Sequence, residues 1–388
     1  LLSQRGKHGI NWYRLINFSG GQLMFTVYNG YSPIKLGGRH VFFAGANTDG
    51  GFVSSYDTIA NEKECERVYI IKGGSGSGKS TLMRNIAKKA EKNGFGVEYY
   101  LCGSDADSLD CIKLDGRIAV LDGTSPHVRE MAYPGAASEL IDVTPFWDKS
   151  ALEAKREEIT ALCERKREAY SSAYRLLGAA GLVNRASVSL ASRMYLFDKA
   201  DAFITRLLSR LPKTKEEGRV IAEYYSHAVT MKGMYRADSL SRFGELSYTV
   251  ENIMNTAQIF MRRLADKLVK CGQKIIITRI PLSGEISGIF IAEHGISVTV
   301  GEKTDETRGI NLMRFIDRDI MKAERGRMKL YSSLLESAEN EAVSLLAGAA
   351  EAHFKIEGIY VSAMDFERLE KYGNAVCADI MKRLKLHA

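Results

Sequence analysis

The chain has 388 residues, enough for two ordinary domains, and its 45% hydrophobic and 26% charged fractions are those of a globular protein. No apolar run approaches membrane-spanning length, so no membrane partner is expected. The net charge of +7 suits a phosphate-rich ligand, but there is no helicase motif series and no basic-aromatic stripe, so nucleic acid is not expected either. Six scattered cysteines without a CxxC pair argue against a disulfide framework or a metal knuckle and for a reducing, cytoplasmic setting.

Residues 1–38 read as an irregular, Gly-rich and polar extension. Two adjacent glycine codons, Gly20 and Gly21, can spell a ribosome-binding sequence, and translation is expected to begin at Met24. A nucleotide-binding domain is expected over residues 39–148. Within it, Arg67-Val-Tyr-Ile-Ile-Lys72 is short, apolar and β-branched, as a buried strand should be. It runs directly into Gly73-Gly74-Ser75-Gly76-Ser77-Gly78-Lys79-Ser80-Thr81, which fits G-x-x-x-x-G-K-[ST]. A helix follows, with Leu82, Met83, Ile86, Ala87 and Ala90 on one face.

The chemistry accounts for each residue type. Glycines let successive N–H groups curl toward phosphate oxygens at the positive end of a helix dipole. Lys79 is the cation for the β/γ phosphates, and the Ser80 hydroxyl is a ligand for Mg²⁺. A second buried strand, Ile118-Ala-Val-Leu-Asp122, ends in a carboxylate suited to the metal side; the bland alternative is a turn aspartate before Gly123. A third strand over 97–102 leads into Ser104-Asp-Ala-Asp-Ser-Leu-Asp110, where Asp105 and Asp107 are expected to face the γ-phosphate and orient a water or a substrate hydroxyl. A capped polar loop is the alternative. His127, in Thr124-Ser-Pro-His127, is a candidate γ-phosphate sensor or an idle loop histidine.

Residues 149–235 read as a helical insert. Residues 151–177 carry Leu152, Ile159, Leu162 and Tyr170 on one stripe, Ala180-Gly181 reads as a break, and Leu211-Pro212 as a loop. Arg175, Arg185 and Arg193 lie here, where an insert can deliver an arginine to a phosphate, but none stands out. Long helices are expected over 323–350 and 364–386, within carboxyl-terminal helices spanning 315–388.

These stretches carry a resemblance. Phe42-Phe-Ala-Gly-Ala-Asn-Thr48, Gly51-Phe-Val-Ser-Ser-Tyr-Asp57, Tyr69-Ile-Ile-Lys-Gly73 with its loop, Ser104 to Asp110, Asp122-Gly-Thr-Ser-Pro-His127, Pro134-Gly-Ala136 and Ala363-Met-Asp-Phe366 resemble an uncharacterised bacterial family of P-loop ATPase-like proteins with tandem P-loop halves. The resemblance implies ATP binding or hydrolysis and implies no substrate.

Only one complete loop is present, yet the chain resembles itself. Residues 83–94 align without gaps to residues 261–272, identical at six of twelve positions, and Phe146-Trp-Asp148 parallels Phe315-Ile-Asp317. Residues 236–314 are therefore expected to form a degenerate second half in which Glu251 stands for Gly73, Thr256 for Gly78, Ala257 for Lys79, Gln258 for Ser80 and Val300 for Asp122. The expected fold is α/β: a mostly parallel P-loop sheet with a helical insert and this second half. The expected activity is Mg²⁺-dependent binding and slow hydrolysis of ATP (or GTP) at one site. A small-molecule or nucleotide kinase is the first alternative. A non-enzymatic, nucleotide-gated protein with a protein partner or a second copy of itself is the other.

Overall fold

The computed structural model describes residues 13–18, 21–26, 32–33, 40–125, 128–212, 217–237 and 240–386. At the start, β1 (Tyr13–Phe18) and β2 (Gly21–Thr26) pair antiparallel, and β3 (Ser32–Pro33) follows. The first half then runs β4 (Val41–Phe43), the hairpin β5 (Gly45–Thr48) and β6 (Gly51–Ser54), α1 (Tyr56–Ile59), β7 (Arg67–Lys72), α2 (Lys79–Lys92), β8 (Val97–Leu101), β9 (Leu109–Leu114), β10 (Ile118–Asp122) and β11 (Ser138–Asp142). These are followed by α3 (Lys149–Ala154), α4 (Arg156–Met194) and α5 (Phe197–Leu208).

The second half repeats the plan. It runs β12 (Arg219–Tyr225), the hairpin β13 (His227–Thr230) and β14 (Gly233–Arg236), β15 (Leu246–Val250), α6 (Thr256–Lys270), β16 (Lys274–Arg279), β17 (Ile286–Ile291), β18 (Ile296–Val300) and β19 (Arg308–Ile310). The long α7 (Arg318–Ser362) and α8 (Phe366–Leu386) complete it. The fold is α/β, built on one mixed sheet of twelve strands in the order β11-β7-β10-β9-β8-β4-β12-β16-β17-β18-β15-β19. Read outward from the β4–β12 seam, both halves give the same sequence of strands. In each, all run parallel except β9 and its counterpart β17.

Local chemistry explains the elements. The buried Val68, Tyr69, Ile70 and Ile71 of β7 present apolar side chains to both sheet faces, as a central parallel strand requires. The β9–β10 hairpin turns through Asp115 (φ 52°) and Gly116 (φ 68°), the Asp-Gly pair that a tight turn of left-handed residues favours. At the seam, β4 and β12 meet antiparallel at Phe43 and Tyr225, and rings carry the junction: Phe42 stacks on Tyr224 at 4.7 Å and Phe243 packs on Phe290 at 5.2 Å.

The carboxyl-terminal helices are exchanged between the halves. α4 leaves the first half and ends at the second, where α5 packs into the core with Phe260 and Leu264 of α6. α7 makes the return journey, and α8 buries Leu369, Ile380 and Leu384 in the core that holds Met83 and Ile86 of α2. Matching backbone bonds mark the two ends of this antiparallel pair: Asp148 N donates to Ala363 O at 2.7 Å, and Asp317 N donates to Met194 O at 2.8 Å.

Three expectations need correction. Residues 219–235, read as helical, fall in β12–β14, because Val220, Ile221, Tyr224 and Tyr225 are β-formers that a sheet seam can use. Residues 109–114, where no strand is expected above, form the strand β9. Ala180-Gly181 does not break α4; a Cβ on Gly181 would lie 2.5 Å from the Asp49 carboxylate, so the glycine serves close approach of the β5–β6 turn. Among the described residues, no helix is long and apolar enough to cross a membrane.

Asp148 and Asp317 cap the helices at the two crossings, accepting from Ala151 N and from Asp319 N and Ile320 N. Asp148→Ala and Asp317→Ala should each cost about 1 kcal/mol, and the double variant about the sum, since the caps sit at opposite ends of the pair. Urea unfolding midpoints measure this.

Candidate functional site

β7 delivers the chain into the glycine loop, residues 73–78, and α2 starts at Lys79 behind Gly78, whose φ of 81° lies in the left-handed region. Gly76 has two reasons to be glycine. Its φ is 69°, and a Cβ there would lie 2.8 Å from the Glu357 carbonyl of α7. The Lys79 ammonium donates to Gly74 O at 2.5 Å and Gly73 O at 3.3 Å, and it lies 3.5 Å from Asp122 Oδ2. β10 runs parallel beside β7 with Asp122 level with Ile71, which brings the carboxylate to the loop. Thr124 braces both partners: its N–H donates to Asp122 Oδ1 and its hydroxyl to Gly73 O, each at 2.8 Å.

Burial pushes the Asp122 carboxyl above its ordinary range; the Lys79 charge opposes that shift and nearby Asp110 adds to it. Ser80 Oγ accepts from Leu109 N at 2.9 Å, which ties α2 to the start of β9. Tyr56 Oη lies 3.0 and 2.9 Å from the carbonyls of Asp110 and Asp122 and holds the ends of β9 and β10 at one depth.

A cavity of about 390 Å³ opens over the loop. Residues 75–81 form its floor, with Asp105, Asp110 and Asp122 on the strand side. Its roof comes from the long helices: Lys166 and Tyr170 of α4, and His353 and Glu357 of α7. Ser80, Asp110 and Asp122 share this space, although among the described residues no group of three His, Cys, Asp or Glu is placed to hold a metal alone. Mg²⁺ keeps waters and takes phosphate oxygens, needing only one or two carboxylates, so this donor set fits Mg²⁺ carried in with a phosphate.

The expected site residues are therefore partly gathered. Residues 75–81 and Asp122 line the cavity together, and Gly73 and Gly74 supply the carbonyls that hold Lys79. Asp105 reaches the cavity but is engaged: Lys232, from the β13–β14 turn of the other half, lies 2.8 Å from its carboxylate, which also accepts from Asp107 N and Ser108 Oγ. Asp107 is not at the cavity wall; its side chain is 77% exposed and pairs with the same Lys232 at 2.7 Å. His127 lies outside the described residues. Arg175 bonds Ser171 and Ser172, Arg185 pairs with Asp49 and Arg193 with Glu324, so none of the three faces the loop.

Sequence reasoning missed Asp110, Lys166, Tyr170, His353 and Glu357. A lone aspartate inside the apolar Leu109-Asp-Cys-Ile was a signal for the first. Lys166 and Tyr170, four apart on one helix face, carry no local sign of what they meet. Burial, reinforced by the Lys166 charge, pulls the His353 imidazole down to about 4, and burial lowers the Lys166 ammonium.

The counterpart in the second half is filled. Residues 251–255 connect β15 to α6, one residue fewer than in the first loop, and Asn255 (φ 62°) takes the left-handed place of Gly78. The expected match thus shifts by one at both ends: Gly301 N donates to Val250 O as Gly123 N does to Ile71 O, so Glu251 stands for Lys72 rather than Gly73, while Asn255 stands for Gly78, Thr256 for Lys79 and Ala257 for Ser80. Val300, level with Val250, stands where Asp122 does. α4 completes the plug: Asn255 Nδ2 donates to Ser187 Oγ at 2.8 Å, and Asn184 and Gln258 face each other at 3.4 Å, all buried.

Compared with protein-family models, curated proteins and solved structures, the chain has no match.

A buried imidazole held neutral binds fewer protons than in the unfolded chain, so its contribution is present above pH 6.5 and is lost as pH falls toward 4. His227, lowered to about 3 by burial, acts in the same direction. His353→Gln should flatten the fall in unfolding free energy between pH 6.5 and 4 by about 1.4 kcal/mol per pH unit, measured by urea titrations across that range.

Proposed function

We propose that the chain is a P-loop protein that binds ATP or GTP with Mg²⁺ and hydrolyses it slowly at one site, its second half being a P-loop unit that has lost the phosphate cradle. The observation that carries this reading is the Lys79 ammonium, held by Gly73 and Gly74 carbonyls against Asp122 on the floor of a cavity large enough for a nucleotide. The adjacent parallel strands β7 and β10, the first ending in the glycine loop and the second in a carboxylate, support it.

In this reading, loop N–H groups and the α2 N-terminus receive the phosphates, and Lys79 exchanges its carbonyl partners for β/γ oxygens. Ser80 and Asp122 would hold Mg²⁺, which supplies charge neutralisation between the phosphates. Asp105 positions the attacking water, with Lys232 fixing the carboxylate's orientation. Asp107, outside the cavity, has no part. The kinase reading makes the same use of Asp105, with an acceptor hydroxyl in place of the water, and the contact with Lys232 bears on both alike. One observation favours nucleotide-gated interaction as a second reading. α4 and α7 roof the cavity and also reach the second half, so a partner protein seated there would sense the site.

Nucleotide binding and phosphate release in the presence of Mg²⁺ test the proposal. Wild type should bind ATP or GTP and release phosphate above background. Lys79→Ala should weaken binding roughly 100-fold or more and abolish release, as expected for loss of a charge-assisted phosphate contact. A wild-type protein that binds no nucleotide would overturn it.

A further inference from the structure

Among the described residues, Lys79 and Lys166 line the cavity and Lys232 stands behind its Asp105 wall. Lys79 is held by carbonyls and Asp122, and Lys232 by Asp105 and Asp107. Lys166 of α4 is the third. It lines the cavity opposite the loop, and among the described residues no carboxylate lies within ion-pair distance of it. Its contact is His353 Nδ1 at 3.5 Å. Holding a largely buried ammonium beside a neutral imidazole is unfavourable unless something anionic arrives.

The fold supplies an internal comparison. The 169-residue offset that relates Asp148 to Asp317 and Met194 to Ala363 at the helix crossings takes Lys166 to Leu335 and Tyr170 to Glu339. Leu335 is an apolar residue of α7, 4% exposed. The roof cation is thus present only above the loop that keeps its glycines and its lysine.

We propose that Lys166 is the second cation of the nucleotide site, meeting the terminal phosphate from the side opposite Lys79, so that the protein distinguishes a nucleoside triphosphate from a diphosphate. The inference rests on the nucleotide-binding reading above and adds to it the residue that senses the terminal group. Lys166 lies on the same unbroken helix as Asn184 and Ser187, which plug the second half about 27 Å further along its axis. Contact with the terminal phosphate therefore acts on a rod whose far end is packed into the other half.

The test is equilibrium binding of ATP and ADP with Mg²⁺ to wild type, Lys166→Met, Lys166→Arg and Lys79→Ala. Wild type should prefer ATP. Lys166→Met, which keeps the apolar stem and removes the charge, should lose roughly 10- to 100-fold in ATP affinity while binding ADP within about twofold of wild type. Retained ADP binding also certifies that the variant is folded. Lys166→Arg should restore part of the preference, and Lys79→Ala should weaken both nucleotides. Equal affinities for ATP and ADP in wild type, or an unchanged ATP preference in Lys166→Met, would overturn the role of Lys166 and leave nucleotide binding standing. Absence of binding of either nucleotide to wild type would overturn both.

Discussion

The antiparallel pairing of α4 with α7 governs how everything else is arranged. A 39-residue helix and a 45-residue helix each start at the sheet edge of one half and deliver a carboxyl-terminal helix to the other. Because Asp148 N meets Ala363 O and Asp317 N meets Met194 O, the two journeys are locked to each other at both ends. The twelve-stranded sheet is continuous across a seam where β4 and β12 share a single matched pair, Phe43 and Tyr225. The helix exchange and the rings around Phe42 and Tyr224, rather than strand pairing, hold the halves in register.

One frame supports two different interiors. Over the first loop, the long helices contribute Lys166, His353 and Glu357 and leave a cavity; over the second they contribute Asn184 and Ser187 and close it. Neutral amides and hydroxyls can satisfy one another at close range, whereas taking charged groups out of water costs more unless they are paired and hydrogen-bonded. Burial pushes the Asp122 carboxyl up even with Lys79 beside it, and it pulls the Lys166 ammonium down, with the His353 ring as its neighbour.

Much of this was legible in the residues, and what was not has a physical reason. The apolar β7, the glycine loop and α2 are local in sequence, so composition and spacing show them. The match of residues 83–94 with 261–272 falls on α2 and α6, which hold equivalent places in the two halves. Register at the second loop was misjudged by one because a shorter connection and a longer helix cancel further along, where Gly94 and Gly272 share φ values of 85° and 84°. β12 was hidden because it follows a long helical stretch and is recruited by the sheet rather than by its own pattern. Lys166 and His353 lie 187 residues apart in sequence, and only the helix crossing brings them together.

The exchange also changes what counts as a unit of this chain. Residues 39–148 contain the whole glycine loop and every strand of the first half, and on sequence grounds they look like a self-sufficient piece. Yet the apolar face of α2, with Met83 and Ile86, is covered by Leu369, Ile380 and Leu384, which are made more than 200 residues later. During synthesis the first half stands with that face open until α8 leaves the ribosome, and a chain cut short anywhere before α8 exposes it permanently.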